Sequence, residues 1–458
     1  MSFGYSDNDD VQVKGDDGSE SGKKITAIQD GSDYRLAVNT KIKGDTDGSL
    51  IGNTSDALNV FTTNEATINV GSANTDLFDR LSIAEDTPLW TYNHRFTNDQ
   101  SIYWDTVASA GGTAVINTSR VSVEVKNSTG NGDTITYRTF RYFEYSKGRQ
   151  QTFMFAVNPK GKVSGVTKEV GGFDENNGFF FRFDGSNTSV VVRSNVSGSP
   201  VDTVVTQPNF NQDVADGTTS SGINMGSWDK YNVLYIQYGG VVGNAVEFGI
   251  FDGGKRKPFH LFEFTNSSAD PYTQHGQLPF NVKLTNTTAQ GSQPQLDLGF
   301  IGIFNNGRQD NLGQVISLDS GVTEITVSTT PQVISAIRMT ASQNRASIKP
   351  LGFDLLSPSG NSTIYYKVLL GGTFTGDSWA SITGSISEEL TSYTTFTGGQ
   401  LLQSGYVQAG GARDIQNILS DLYIGRSISG DSQNLAVLAR TVSSNAKVLF
   451  SGRYREYK

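Results

Sequence analysis

Cysteine is absent from all 458 residues, which excludes a disulfide framework and thiolate metal sites and suits a chain made in a reducing cytoplasm. Histidine is nearly absent: His94, His260 and His275 stand alone, none at metal-ligand spacing. No HExxH, GxSxG or P-loop pattern occurs, so the expectation is a protein that is not an enzyme and needs no cofactor or metal. No run of about 18 apolar residues is present. The first residues, MSFGYSDNDD, carry no basic segment followed by an apolar one, so neither a secretory leader nor membrane insertion is expected. Positive charge is in deficit, 36 Lys and Arg against 45 Asp and Glu for a net −9 and a pI near 5.0. That balance argues against nucleic acid as a partner.

What is present is turn and strand chemistry. Gly is abundant at 51, Ser, Thr and Asn accompany it, and long helical-period runs are missing, which points to many short strands joined by turns. The clearest stretch is FDENNGFFFRFDGSNTSVVVRSN, residues 173–195. Phe179, Phe181 and Phe183 alternate with Phe180, Arg182 and Asp184, so three rings share one strand face. Asp184-Gly185-Ser186-Asn187 supplies a turn, and Val190 and Val192 return in alternation, which predicts a β-hairpin. Each buried Phe is worth roughly 1.5–3 kcal/mol, so a second layer must cover the stripe.

The chain is long enough for two or three domains. Residues 1–76 read as an extended arm: Asp7, Asp9, Asp10, Asp16, Asp17, Asp45 and Asp47 mix with Gly and Ser, and apolar residues come in short bursts. Such a segment cannot close its own core. Tyr34, Leu36 and Val38 fall on one face as a pairing strand would, with Ile25 and Ile28 in support, so docking by strand addition to a neighbouring chain is expected. Residues 77–325 carry dense strand signals: LFDRLSIAEDTPLW, YNHRFTNDQSIYWD, SRVSVEVKN, 151–157, YNVLYIQY, AVEFGIFD, HLFEFTN and LPFNVKLTN. This predicts two sheets packed face to face. The chain thins at 312–336. Residues 326–458 read as a second sandwich, with one short helix suggested by Ile415, Leu419 and Leu422. The fold expected is therefore all-β, tandem antiparallel jelly-roll-like sandwiches behind an N-terminal docking arm.

Candidate chemistry is thin. Asp174 with Glu175, or Asp213 with Asp216, would have to face one cleft about 5–10 Å apart to act as a glycosidase pair; turns are the better reading. Asp45-Thr46-Asp47-Gly48 lacks the third ligand and distal Glu of a calcium loop. Asn117 and Asn187 sit in sequons that mean little without a leader. Trp228 and Tyr272, with Tyr142, are weighed as glycan-stacking platforms, with core packing or subunit contact the better reading. Arg141, Arg149, Arg182 and Arg193 are expected to pair with Glu144, Asp174 or Asp184.

With these strands placed, several signatures in order resemble structural proteins of tailed-bacteriophage virions. They are LFDRLSIAEDTPLW, RYFEYSKGR, GGFDENNGFFFRFDG, VVRSNVSG, QPNFNQDVADG, LPFNVKL, IGRSISGDSQNLAVLAR and the terminal RYREY. DGSDYRLAVNTKI is similar to attachment segments of tail or neck proteins. The chain departs at Phe210 and Tyr238, where such proteins often carry Trp. The resemblance implies a virion component of the neck or collar, tail, or baseplate and fibre. It would be made in the bacterial cytoplasm, with other virion proteins (portal or neck, tail or baseplate) and copies of itself as partners. A receptor-binding module for host surface glycans is the alternative.

Overall fold

In a computed structural model of the chain, the residues described are 10–12, 24–30, 33–37 and 86–458, apart from 96–99, 220, 242, 268, 308–312, 359–361 and 417–421. Contacts divide the chain into Met1–Asn69 and Val70–Lys458. In the first unit Asp10–Gln12, Lys24–Asp30 and Asp33–Ala37 form an antiparallel sheet in that order. Ile25 and Ile28 lie on its middle strand and Tyr34 and Leu36 on an outer one; Val38 and the Asp45–Gly48 stretch lie outside the described residues.

Among the described residues of the second unit the strand ladders are antiparallel, with one isolated parallel bridge between Asp86 and Gly307, and the strands form two sandwiches. One sheet runs Val201–Thr206, Thr188–Ser194, Gly178–Phe183, Val166–Phe173, Phe280–Asn286, Thr134–Thr139, Trp104–Ala108. The sheet facing it runs Lys255–Glu263, Ala245–Asp252, Asn232–Gly239, Gln151–Asn158, Gln295–Asn306, Ser122–Lys126, Thr113–Asn117, with Asp86–Asn93 also on Gln295–Asn306. Successive strands such as 134–139, 151–158 and 166–173 alternate between the two sheets, which is the jelly-roll habit.

The core between them is aromatic. Phe179, Phe181, Phe183, Val190 and Val192 are buried, and Phe181 meets the facing sheet edge-on, 6.3 Å from Phe155 and 5.3 Å from Phe248. Trp104 stacks on Tyr137 at 4.3 Å. The chain turns into the Phe stripe at Gly178, whose φ is +147° and where a Cβ would lie 2.2 Å from that of Phe173. Only glycine fits there.

The second sandwich pairs Gln314–Asp319, Ala446–Tyr457, Ser347–Leu356 and Ala412–Gln416, with Ile325–Val327 also on Ala446–Tyr457. Its facing sheet is Ser378–Ser381, Ser387–Ser392, Gln332–Met339, Asn434–Thr441, Ile364–Thr375, Thr395–Val407. In Ala446–Tyr457 the burial alternates residue by residue as far as Glu456, so Val448, Phe450 and Tyr454 enter the core as period two requires.

Three local expectations are corrected. Gln314–Asp319 pairs with the last strand, so the second sandwich begins before residue 326; this short edge strand buries only Ile316 and Leu318. Gln100–Tyr103 is a single helical turn inside YNHRFTNDQSIYWD. Ile415 lies in the strand Ala412–Gln416, where pairing with Ser347–Leu356 overrides the weak helical spacing; Leu419 lies outside the described residues.

Candidate functional site

The seven-strand sheet has a second face, turned away from its core, and alternation decides what stands on it. Thr136 and Arg138, Asn281 and Lys283, Glu169 and Phe173, Phe180 and Arg182, Val191 and Arg193, and Asp202 all point that way. Phe173, Phe180 and Val191 form a small buried cluster of their own. Arginines roof it: Arg193 lies 4.9 Å and Arg182 5.4 Å from the centre of the Phe180 ring. Both guanidiniums are also held at their polar edges. Arg182 donates to Glu169 at 2.9 and 2.8 Å, and Arg193 grips both oxygens of Asp202 at 2.7 and 3.0 Å. Burial raises the Asp202 carboxyl, but Arg193 and Arg182 together hold it below the ordinary range.

These partners differ from the expected ones because register places them. Glu169 is opposite Arg182 and Arg193 opposite Asp202. Asp184 instead closes its own turn on the amides of Ser186 and Asn187. Arg141 does pair with Glu144, at 2.7 Å, whereas Arg149 reaches the Asn306 carbonyl.

At one end of this face the turn at Asp174–Asn177 meets the second sandwich. Asp174 Oδ1 accepts the amides of Asn176 and Asn177, both at 2.8 Å, which shapes the turn and leaves Oδ2 facing outward. Arg345 then donates to Asp174 Oδ2 at 2.8 Å and to Glu175 Oε1 at 2.6 Å. Arg426 lies 2.8 Å from Glu175 Oε1 and donates to the Tyr142 hydroxyl at 3.0 Å; Tyr142 donates on to Asp174 Oδ2 at 3.2 Å. Arg138 donates to the Ser427 carbonyl at 2.6 Å. Further bonds run from Ser347 Oγ to the Tyr142 carbonyl and from the Ile428 amide to Asp105, at 2.6 and 2.7 Å. Burial raises the Asp174 carboxyl, but the Asn177 amide, Arg345 and the Asn176 amide outweigh it and the group sits below its usual value. Two carboxylates, three arginines and a tyrosine thus fasten one sandwich to the other.

Beside this cluster the face opens into a cavity of about 380 Å³, lined among others by Arg138, Asn281, Lys283, Phe173, Arg193 and Arg426. The sequence stretches GGFDENNG, VVRSNVSG, LPFNVKL and IGRSISGD each contribute a wall. A second concavity, of about 610 Å³, is aromatic and basic, with Trp90, Tyr92, Tyr103, Tyr423, Arg141 and Lys349 around it. Trp90 and Tyr92 stack at 5.2 Å and 12°, and the Arg141 guanidinium lies 3.3 Å from the Tyr423 ring centre.

The aromatics weighed for glycan contact are elsewhere and are buried. Trp228, 2 % exposed, packs 5.0 Å from Phe183 and donates Nε1–H to Gln207. Tyr272 stacks on Phe264 at 4.3 Å and gives its hydroxyl to the Gly239 carbonyl. Tyr142 is sealed in the inter-sandwich cluster. None presents a free ring face. Trp90 and Tyr423, which line the aromatic concavity, were not singled out: they are 333 positions apart in numbering and only the docking of the two sandwiches brings them together.

The remaining candidates are structural. Asp213 Oδ1 takes the Ala215 amide and the Thr219 hydroxyl, and Asp216 the Thr218 amide, so both shape turns. His260 is buried on the strand Lys255–Glu263, accepts the Asn211 amide at 3.2 Å, and burial lowers its pKa. Among the described residues no cluster of three His, Asp or Glu could hold a metal ion, and no helix is long and apolar enough to cross a membrane.

No family model matches the chain, and no curated protein matches it. Among solved structures it is similar to the carbohydrate recognition domain of Emp47p, at 12% identity and a TM-score of 0.32 over 49% of this chain and 98% of that one. It is also similar to a β-1,3-glucanase from Mycobacterium marinum, at 11% identity and 0.33 over 47% and 98%. A legume lectin-like domain from Entamoeba histolytica gives 11% and 0.30 over 48% and 98%. Likenesses at this level carry no argument about what this chain binds or does.

Proposed function

We propose that the chain is a non-enzymatic structural component of a tailed-phage virion, at the neck or collar, the tail, or the baseplate and fibre. It docks through its N-terminal strands and assembles as a homo-oligomer. The observation that carries this reading is the use made of Asp174 and Glu175. The adjacent carboxylates that a glycosidase reading would need are bound by Arg345 and Arg426 and fasten two sandwiches into one body. The ordered resemblance to virion proteins supports the setting. So does the N-terminal sheet: among the described residues Asp33–Ala37 pairs on one side only, which leaves an edge for strand addition.

Deleting residues 1–70 leaves a soluble, folded body that no longer enters particles; normal incorporation of that truncation in a complementation assay refutes docking by the arm.

The second reading, a receptor-binding module for host surface glycans, is favoured by the concavity around Trp90 and Tyr423, which several aromatic side chains line together. It is read by saturable binding of the purified body to host cells.

A further inference from the structure

Sheet edges carry unpaired main-chain groups, and natural edges are guarded by charge, proline or shortness. The described edges of the two sandwiches keep that habit with one exception. Lys255–Glu263 carries Lys255, Arg256, Lys257 and Pro258, and Asp86–Asn93 carries Asp86 and Pro88. Val201–Thr206 has Asp202, Gln314–Asp319 has Asp319, and Ala412–Gln416 has Arg413 and Asp414. Trp104–Ala108, Thr113–Asn117, Ile325–Val327 and Ser378–Ser381 are no longer than five residues. Thr395–Val407 is different: 13 residues, TFTGGQLLQSGYV, without a charge or a proline. Among the described residues it pairs only with Ile364–Thr375.

This edge also shows apolar side chains to solvent, Leu401 at 50% and Tyr406 at 64% exposed. Five positions apart, they would stand on opposite faces of a regular strand. The register shift at Leu402 returns them to one face, because Leu401 lies opposite Leu369 and Tyr406 opposite Tyr365, four positions apart on the neighbouring strand. That face is turned away from the core, which takes Tyr366, Val368 and Leu370 instead. Tyr406 extends it beside Tyr365, ring centres 5.1 Å apart. Gln400 accepts Ser101 Oγ from the first sandwich at 3.0 Å, so the open run is 401–407.

The chemistry of this run fits a second copy of itself. An uncharged strand meets its own reverse at no electrostatic cost, and an antiparallel pair about a two-fold axis is self-complementary. With the order reversed, each Leu401 comes against the partner's Tyr406, and an aromatic–aliphatic cross-strand pair of this kind contributes about 0.2–1 kcal/mol. Two such pairs form in one seam. The far edge of the same sheet, Ser378–Ser381, is only four residues long, so the pairing closes at two copies.

We propose that residues 401–407 are a self-association edge, through which two copies join their six-stranded sheets antiparallel about a two-fold axis, Leu401 of each against the partner's Tyr406. The proposal rests on the reading that the chain assembles as a homo-oligomer and names the surface used.

The test is sedimentation velocity of the full chain across a range of concentrations. A reversible dimer is expected. Leu401→Lys and Tyr406→Glu each remove both apolar pairs of the seam, so each is expected to weaken the dimer by about tenfold, with circular dichroism confirming that both variants are folded. Mixing the two variants is expected to restore association, since the mixed seam holds one native pair and one Lys–Glu pair. A chain that associates while both folded variants associate equally well overturns the proposal and leaves the homo-oligomer reading standing. A chain that stays monomeric throughout overturns both. Failure of the mixture to associate better than either variant alone overturns the two-fold pairing.

Discussion

Arg345 is the most exposed of the three arginines that fasten the sandwiches, and its removal reads the strength of the junction directly. Arg345→Met keeps much of the side-chain volume but takes away the bonds to Asp174 Oδ2 and Glu175 Oε1. Breaking a buried pair and leaving one charge behind costs about 3–5 kcal/mol. The Arg345 side chain is 33 % exposed, although that of Asp174 is fully buried, so water recovers part of the loss and about 2 kcal/mol is expected. For a domain of this size that lowers Tm by about 4–8 °C. The transition to follow by differential scanning calorimetry is that of the second sandwich, which would melt ahead of the first once unfastened.

Acid gives an independent reading of the same contact. Asp174 has a folded pKa below its unfolded value, so its contribution is present above the unfolded pKa and is lost as pH falls through the folded one. Arg345→Met removes a cause of that depression, so acid unfolding should begin at higher pH. A double-mutant cycle with Asp174→Asn should return a coupling of at least about 1 kcal/mol. Additive single mutants, or a Tm within about 1 °C of wild type, refute the idea that this contact fastens the sandwiches.

Two further outcomes follow from buried positions. His94 gives its Nδ1 to the Gly299 carbonyl at 2.6 Å, leaves Nε2 unpaired, and burial lowers its pKa to about 4. The unfolded chain therefore takes up the proton first, and stability should fall from near pH 6.5 downward, by about 2 kcal/mol at pH 5; urea midpoints that do not move, or that move equally in His94→Gln, contradict this. Gly425 sits where a Cβ would lie 2.0 Å from the Phe140 carbonyl oxygen, so Gly425→Ala should break the bond from the Arg426 amide to that carbonyl and lower Tm; a wild-type melt would show that the 425–432 loop yields freely.

The hairpin was legible from sequence because one pattern fixed it: three Phe at period two, a turn tetrad and returning valines admit one register, and burial of the stripe follows. The strand-rich second sandwich was legible for the same reason in AKVLFSGRYREY and NLAVLART. What could not be read was the far side of the same strands. Phe180 and Arg182 look like solvent-facing alternates of the stripe, yet Phe180 is fully buried beneath Arg182 and Arg193. Nothing local distinguishes a guanidinium that roofs an aromatic ring from one in water. For Trp228 and Tyr272 the pattern favours packing over a glycan platform, and the long connections do fold back to bury both. Gln314–Asp319 was missed because an edge strand shows half the apolar signal of an inner one. The site residues escaped for a topological reason, since Arg138, Asn281, Lys283 and Arg426 converge only after two strands and a loop from the second sandwich are in place.

The junction between the sandwiches is built from ions. A purely structural fastening does not require ions: well-packed apolar residues in place of a buried ion pair are often neutral or stabilising. Here Arg345 meets both carboxylates of the turn, and Arg426 and Arg138 both meet Glu175, Arg138 at 3.5 Å, so all three arginines serve the fastening. Arg138 uses its charge on Glu175 and its second amino group on the Ser427 carbonyl, at 2.6 Å, so one guanidinium ties the turn to the loop of the second sandwich.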